Sequence, residues 1–161
     1  MSTALIAGSF DPITLGHLDI IERSSHIFTG VIVAVSHNPA KQGMFTLDER
    51  KQMISESLRL RGIENVTVET LPTGLLAQYA REAGANAIVK GIRGPQDLAY
   101  EEPMARVNQQ LTGIETLFLT ANPNYSHISS SMVKEVARLG GDVGAMLPPP
   151  AQQKLSSKEH Q

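Results

Sequence analysis

Val31-Ile32-Val33-Ala34-Val35 is an unbroken apolar run in which all but Ala34 are β-branched. It is the right length for a strand and too short for an ordinary helix, and it has no polar residue to turn toward water. Such a strand must be covered on both faces, which places it in a parallel sheet between helices. Four further short runs have strand character: Ala4-Leu5-Ile6-Ala7, Val66 to Thr70, Ala87-Ile88-Val89 and Glu115 to Thr120. The third strand alternates apolar and polar residues, as an edge strand does.

Amphipathic segments fill the intervals. The first runs from Leu15 to about Thr29, with Gly30 expected as its C-terminal cap. Thr46 and Glu49 form a capping box that opens a helix to about Arg61, ended by Gly62. A third helix carries Leu75, Leu76, Tyr79 and Ala80 on one face and ends near Gly84. Lys90-Gly91-Ile92-Arg93-Gly94-Pro95 reads as a basic, glycine-rich loop, followed by a helical segment to about Leu111. Pro103 lacks an N–H and disfavours helix at Glu102, so this helix is expected to start near 102 or 103, or to bend there. A fifth helix spans Ser129 to Leu139 and is broken by Gly140 and Gly141. The run Pro148-Pro149-Pro150 leaves room for at most a short terminal helix, and the polar residues 156–161 are expected to fray. Strand and helix alternate five times without a boundary. The expectation is therefore one α/β domain, 1–155, with a doubly wound, five-stranded parallel sheet and right-handed crossovers.

Composition narrows the function. The chain has 161 residues, a formal net charge of −2 and no cysteine. Disulfides, thiolate metal sites and thiol nucleophiles are excluded, and the charge gives no sign of a nucleic-acid partner. The five histidines show no metal-ligand spacing. No apolar run approaches ~20 residues and no leader pattern opens the chain, so no membrane partner and a cytoplasmic location are expected.

The polar residues gather after strands. Ser9 and His17 follow strand one, Lys41 follows strand two, Lys90, Arg93 and Asp97 follow strand four, and Tyr125 to Ser131 follow strand five. In an open parallel sheet these positions share the carboxyl edge, where ligands bind at the topological switch point. Basic residues, hydroxyls and two helix N-termini on one edge suit a nucleotide or another polyphosphate. Taken singly, several remain open. Lys41 alone reads as a solvated loop lysine, Lys90 and Arg93 as charges fencing an edge, and Ser129 as a plain N-cap. Glu101 equally fits an exposed carboxylate at a helix start, and Leu76 fits core packing.

Ser9-Phe10-Asp11-Pro12-Ile13-Thr14-Leu15-Gly16-His17 resembles the signature of the T/H-x-G-H nucleotidyltransferase superfamily. Asn38-Pro39-Ala40-Lys41, Lys90-Gly91-Ile92-Arg93 and Ile128-Ser129-Ser130-Ser131 with Lys134-Glu135-Val136 extend the likeness along nearly the whole chain. Within the superfamily they are most similar to the phosphopantetheine adenylyltransferase family of coenzyme A biosynthesis. The resemblance implies a Rossmann-like sheet of order 3-2-1-4-5. It also implies transfer of an adenylyl group from ATP to 4′-phosphopantetheine, with Mg²⁺ arriving on the ATP. His17, Lys41 and Arg93 would be catalytic. Ser9, Lys41, Leu76 and Lys90 would meet the acceptor. Ser9, Phe10, His17, Gly91, Ile92, Arg93, Glu101, Tyr125, Ser126, His127, Ile128, Ser129, Ser130 and Ser131 would meet ATP. The same resemblance implies a homohexamer and leaves room for coenzyme A as a feedback ligand.

Two departures stand out. Pro103 interrupts the family's acidic helix segment, and His127 replaces a common aromatic residue. The rival readings are another adenylyl- or cytidylyltransferase and a non-catalytic receiver-like module. The latter needs an acidic cluster at the strand ends, which this chain lacks.

Overall fold

The computed structural model describes residues 1–160. Five strands, β1 (Thr3–Gly8), β2 (Gly30–Ser36), β3 (Val66–Leu71), β4 (Ala87–Ile92) and β5 (Glu115–Thr120), form one sheet of order β3-β2-β1-β4-β5. Every neighbouring pair is parallel. The helices are α1 (Leu15–Ile27), α2 (Leu47–Leu60), α3 (Leu76–Glu82), α4 (Pro95–Thr112), α5 (Ser130–Arg138) and α6 (Pro149–Glu159), with a 3-10 turn at Gly144–Met146 before the last.

Side-chain alternation along the inner strands divides the core in two. Ala4, Ile6, Val31, Val33 and Val35 point into a cluster with Leu18 and Ile21 of α1, Met53, Ile54 and Leu58 of α2, Val133 of α5 and Leu155 of α6. Leu5, Ala34 and Ile88 point the other way, against Ala77 and Ala80 of α3. The run Val31–Val35 is thus covered on both faces, as its composition requires. β3 takes an edge position, in keeping with its alternating sequence.

One feature of the register makes the site. β1 pairs with β2 along six residues, yet with β4 only at Ala4↔Ala87 and Leu5↔Ile88. Beyond those pairs the two strands part, and the split opens at the carboxyl edge where the strand order reverses.

Four local expectations need correction. Gly30 does not cap α1, which ends at Ile27 with Phe28 as C-cap, and Gly30 instead opens β2. Lys90, Gly91 and Ile92 belong to β4 rather than to a loop. Here a glycine is required by close approach, because a Cβ at Gly91 would lie 2.9 Å from Cγ1 of Ile20 on α1. Residues 156–159 do not fray, since α6 continues through them and Lys158 pairs with Glu49 at 3.4 Å. The Lys158 ammonium also stands 5.1 Å from the centre of the Phe45 ring. Gln161 lies outside the described residues.

The fourth correction concerns Pro103, which does not set the start of α4. The helix begins eight residues earlier, at Pro95, where a fixed φ suits the first turn. It then runs through Pro103, which faces solvent. The missing N–H leaves the carbonyl of Ala99 without its helical partner, but Ala99 is also exposed, so water can take that bond. Helix interiors prefer alanine to proline by ~3 kcal/mol, offset in part by proline's smaller unfolded-state entropy. Pro103→Ala is therefore expected to stabilise the chain by about 1–3 kcal/mol in urea unfolding. A destabilised variant would show that the proline supports the helix it interrupts.

Candidate active site

The split between β1 and β4 is a cavity of about 400 Å³. Its floor is Ile6, Ala7 and Gly8 on one side and Val89, Lys90 and Gly91 on the other, with the first turns of α1, α4 and α5 around its mouth.

His17 enters from α1 and is held by a reciprocal cap. Thr14 is the N-cap residue, and its hydroxyl accepts the His17 backbone N–H at 3.3 Å. In return His17 Nδ1 accepts the Thr14 backbone N–H at 3.0 Å. The imidazole does here what a glutamate does in an ordinary capping box. Because Nδ1 is the acceptor, the ring proton of the neutral imidazole sits on Nε2, leaving that nitrogen as a donor. Burial, and secondarily the positive charge of Arg93, lower the His17 pKa to about 4, so the ring is neutral at neutral pH. The Phe10 ring meets it edge-on, with centres 5.1 Å apart. Phe10 itself sits in the left-handed backbone region at φ 47°, uncommon for a bulky residue and concentrated at functional turns.

Two cations line the opposite wall, and each meets a carboxylate of α4. Lys90 Nζ lies 3.4 Å from Glu101. Arg93 donates through Nε at 3.2 Å and through its backbone N–H at 2.9 Å to Asp97. The backbone bond is the main reason that the Asp97 carboxyl is held below its ordinary range. Arg93 also reaches the Ile128 carbonyl at 3.4 Å. At the third wall, Ser129 caps α5 by accepting the Met132 N–H at 3.1 Å, and Ser130 donates to the Pro12 carbonyl at 2.8 Å.

The cavity thus gathers Phe10, His17, Lys90, Gly91, Arg93 and Glu101 with Tyr125, Ile128, Ser129 and Ser130. The other sequence-predicted residues stand outside its lining. Ser9, Lys41, His127 and Ser131 are exposed. Ser126 bonds back to the Pro123 carbonyl within its turn. Ile92 ends β4, and Leu76 opens α3 packed on the second core cluster. Thr14, quoted in the signature but given no role, and Tyr100, which no motif marked, also line the cavity.

Asp11 and Arg50 were also missed, although both are buried near the site. Arg50 carried a signal: Arg50, Met53, Ile54, Ser57 and Leu58 form the buried stripe of α2, so a charge stands where the helical period calls for an apolar residue. Asp11 stands in the quoted signature, but one residue of a turn gave no sign that it would be buried.

Among the described residues no group of three or more His, Asp or Glu could hold a metal ion, and no helix is long and apolar enough to cross a membrane. The carboxylates nearest the cavity are engaged by Lys90 and Arg93. A divalent ion therefore fits here as a companion of phosphate oxygens rather than in a protein cage.

The chain is similar to proteins already known. A family described as cytidylyltransferase-like matches residues 5–136. A phosphopantetheine adenylyltransferase of Renibacterium salmoninarum is 54% identical over 149 residues, covering 92% of this chain and 91% of its own. One from Micrococcus luteus is 48% identical over 148 residues, covering 92% and 93%. In structure, a bifunctional NMN adenylyltransferase/ADP ribose pyrophosphatase of Francisella tularensis, complexed with AMP and a manganese ion, superimposes with a TM-score of 0.72. It is 17% identical, and the match covers 99% of this chain and 49% of that one, so the likeness is one of fold.

The half-buried imidazole has a consequence for stability. Between pH 6.5 and about 4 the unfolded chain binds a proton at His17 that the folded chain does not. The unfolded state then holds more protons, so stability falls as the pH drops through that window. His17→Gln is expected to flatten this part of the profile, by up to about 3 kcal/mol between its two ends. Urea unfolding at a series of pH values measures it, and parallel profiles for the two chains would show that His17 does not titrate as its burial requires.

Proposed function

On the premise that this chain belongs to the cytidylyltransferase-like superfamily and, within it, to the phosphopantetheine adenylyltransferase family, we propose how its cavity divides the work. The chain is a nucleotidyltransferase that carries the adenylyl group of ATP to 4′-phosphopantetheine, giving dephospho-coenzyme A and pyrophosphate. The observation that carries the proposed mechanism is the Thr14–His17 cap, in which Nδ1 accepts the Thr14 N–H and Nε2–H is left to donate.

The acceptor phosphate is largely ionised near neutral pH, so an oxygen can attack without a general base. It forms a bond to the α-phosphorus of ATP as the bond to the bridging oxygen breaks and pyrophosphate leaves, with no covalent enzyme intermediate. Negative charge grows on the α-phosphate, and His17 Nε2–H donates to it. Arg93 lies on the wall facing His17 and takes the nucleotide phosphates, with the capped N-terminus of α5 beneath them. Lys90, and Lys41 from its exposed loop, receive the acceptor phosphate. Ser9 and Leu76 belong to the acceptor's approach. Ile92, Ser126, His127 and Ser131 adjoin lining residues of the cavity and are proposed to meet the nucleotide at its rim. Mg²⁺ is the divalent ion proposed to travel with ATP, where it neutralises phosphate charge.

Glu101 is assigned to the nucleotide side, where it also holds Lys90. A cytoplasmic location is proposed with this activity. Tyr100, Met104, Val107 and Leu111 form an exposed stripe on α4, which supports assembly of copies, and the hexamer of the resemblance is the proposed form. Coenzyme A shares its two halves with the substrates and is a candidate feedback ligand of the same cavity.

Pyrophosphate release with ATP and Mg²⁺, followed across phosphorylated acceptors, is expected to select 4′-phosphopantetheine. In the same assay His17→Ala is expected to lower kcat by roughly a hundred- to a thousandfold while calorimetry still detects ATP binding. Unchanged kcat, or a loss explained wholly by failure to bind ATP, would contradict the role given to His17.

A further inference from the structure

Lys41 sits on an exposed loop, residues 37–43, that does not line the cavity. Both ends of that loop are nevertheless fastened to the turn that carries Phe10. At the leading end, Arg50 Nη1 donates to the carbonyl of Ser36 at 2.8 Å and to the carbonyl of Ser9 at 2.7 Å. At the trailing end, the Asp11 carboxylate accepts the backbone N–H groups of Met44 and Phe45, each at 2.8 Å. Ser9 and Asp11 flank Phe10, whose ring stands against His17. The two side chains are among the few buried charges of the protein, 6% and 4% exposed. Desolvating them is costly unless their bonds are made.

Asp11 has one more partner, Lys134 of α5, at 3.4 Å. The fit is tight as well as polar: a Cβ at Gly43 would lie 2.9 Å from Asp11 Oδ2.

We propose that Arg50 and Asp11 are positioning residues, which lock the two ends of the Lys41 loop to the Ser9–Asp11 turn and so set where the acceptor phosphate lies relative to His17. The inference rests on the reading of Lys41 as a ligand of that phosphate. It goes beyond that reading by assigning loop placement to two residues that do not line the cavity. A core role alone would require only that the two charges be buried and satisfied. The clamp requires that disturbing them act through Lys41.

The test is a double-mutant cycle in steady-state pyrophosphate release, with 4′-phosphopantetheine varied at saturating ATP. Lys41→Ala is expected to raise the acceptor KM by about ten- to a hundredfold in the wild-type background. Arg50→Met is expected to raise it comparably while the ATP KM stays near wild type, and Arg50→Lys to recover part of the loss. Adding Lys41→Ala to Arg50→Met should then cost little more. Gly43→Ala, which retains both charges but crowds the Asp11 carboxylate, is expected to behave as Arg50→Met does and serves where that variant does not fold. Equal penalties for Lys41→Ala in the wild-type and clamp-variant backgrounds would leave the Lys41 reading standing and overturn the clamp. No penalty for Lys41→Ala in the wild type would overturn the Lys41 reading, and the clamp's effect on acceptor placement with it.

Discussion

The parting of β1 and β4 after Leu5 and Ile88 is the constraint on which the rest of this structure depends. Two paired strands would leave nothing between them to bind. Two strands held only at their first residues leave a gap at the carboxyl edge, with backbone and helix N-termini converging on it. Gly91 allows α1 to come close to β4 beside that gap, since any side chain there would collide with Ile20. The helix that carries His17 is thereby packed against the strand that carries Lys90, and their groups face one cavity.

Electrostatics gives the cavity its character. Its cations are not loose charges: Glu101 and Asp97, a helical turn apart on α4, pair with Lys90 and Arg93. An incoming phosphate competes with carboxylates for partners already in place, so side-chain ordering costs less than for free lysine and arginine side chains. His17 is kept neutral by the same environment, because an imidazolium there would be poorly solvated and would lie near Arg93.

Much of this was legible in the sequence because it depends on period and on residue chemistry. The apolar run Val31–Val35 required a doubly covered strand. The capping box of Thr46 and Glu49 formed as expected. Chemistry-bearing residues after strands one, four and five did meet at one edge. What local pattern missed, tertiary context decided. Pro103 lies inside α4 because that position faces water, where a lost backbone bond is cheaply replaced. Residues 156–159 are helical because Lys158 finds Glu49 and Phe45, residues more than a hundred positions away. Lys41 and Leu76 match the family's motif yet stand clear of the cavity, since a motif gives identity and not placement. The Thr14–His17 cap escaped notice because histidine is not the residue expected at the third position of such a box.

That cap connects fold to chemistry, since the bond that starts α1 also fixes which nitrogen of His17 bears the proton. ¹⁵N NMR of histidine-labelled protein reads this directly. The account predicts a neutral His17 ring at pH 7 with the proton on Nε2 and an unprotonated Nδ1, persisting until the pH approaches about 4. A proton on Nδ1, or an imidazolium at pH 7 in the substrate-free protein, would contradict it.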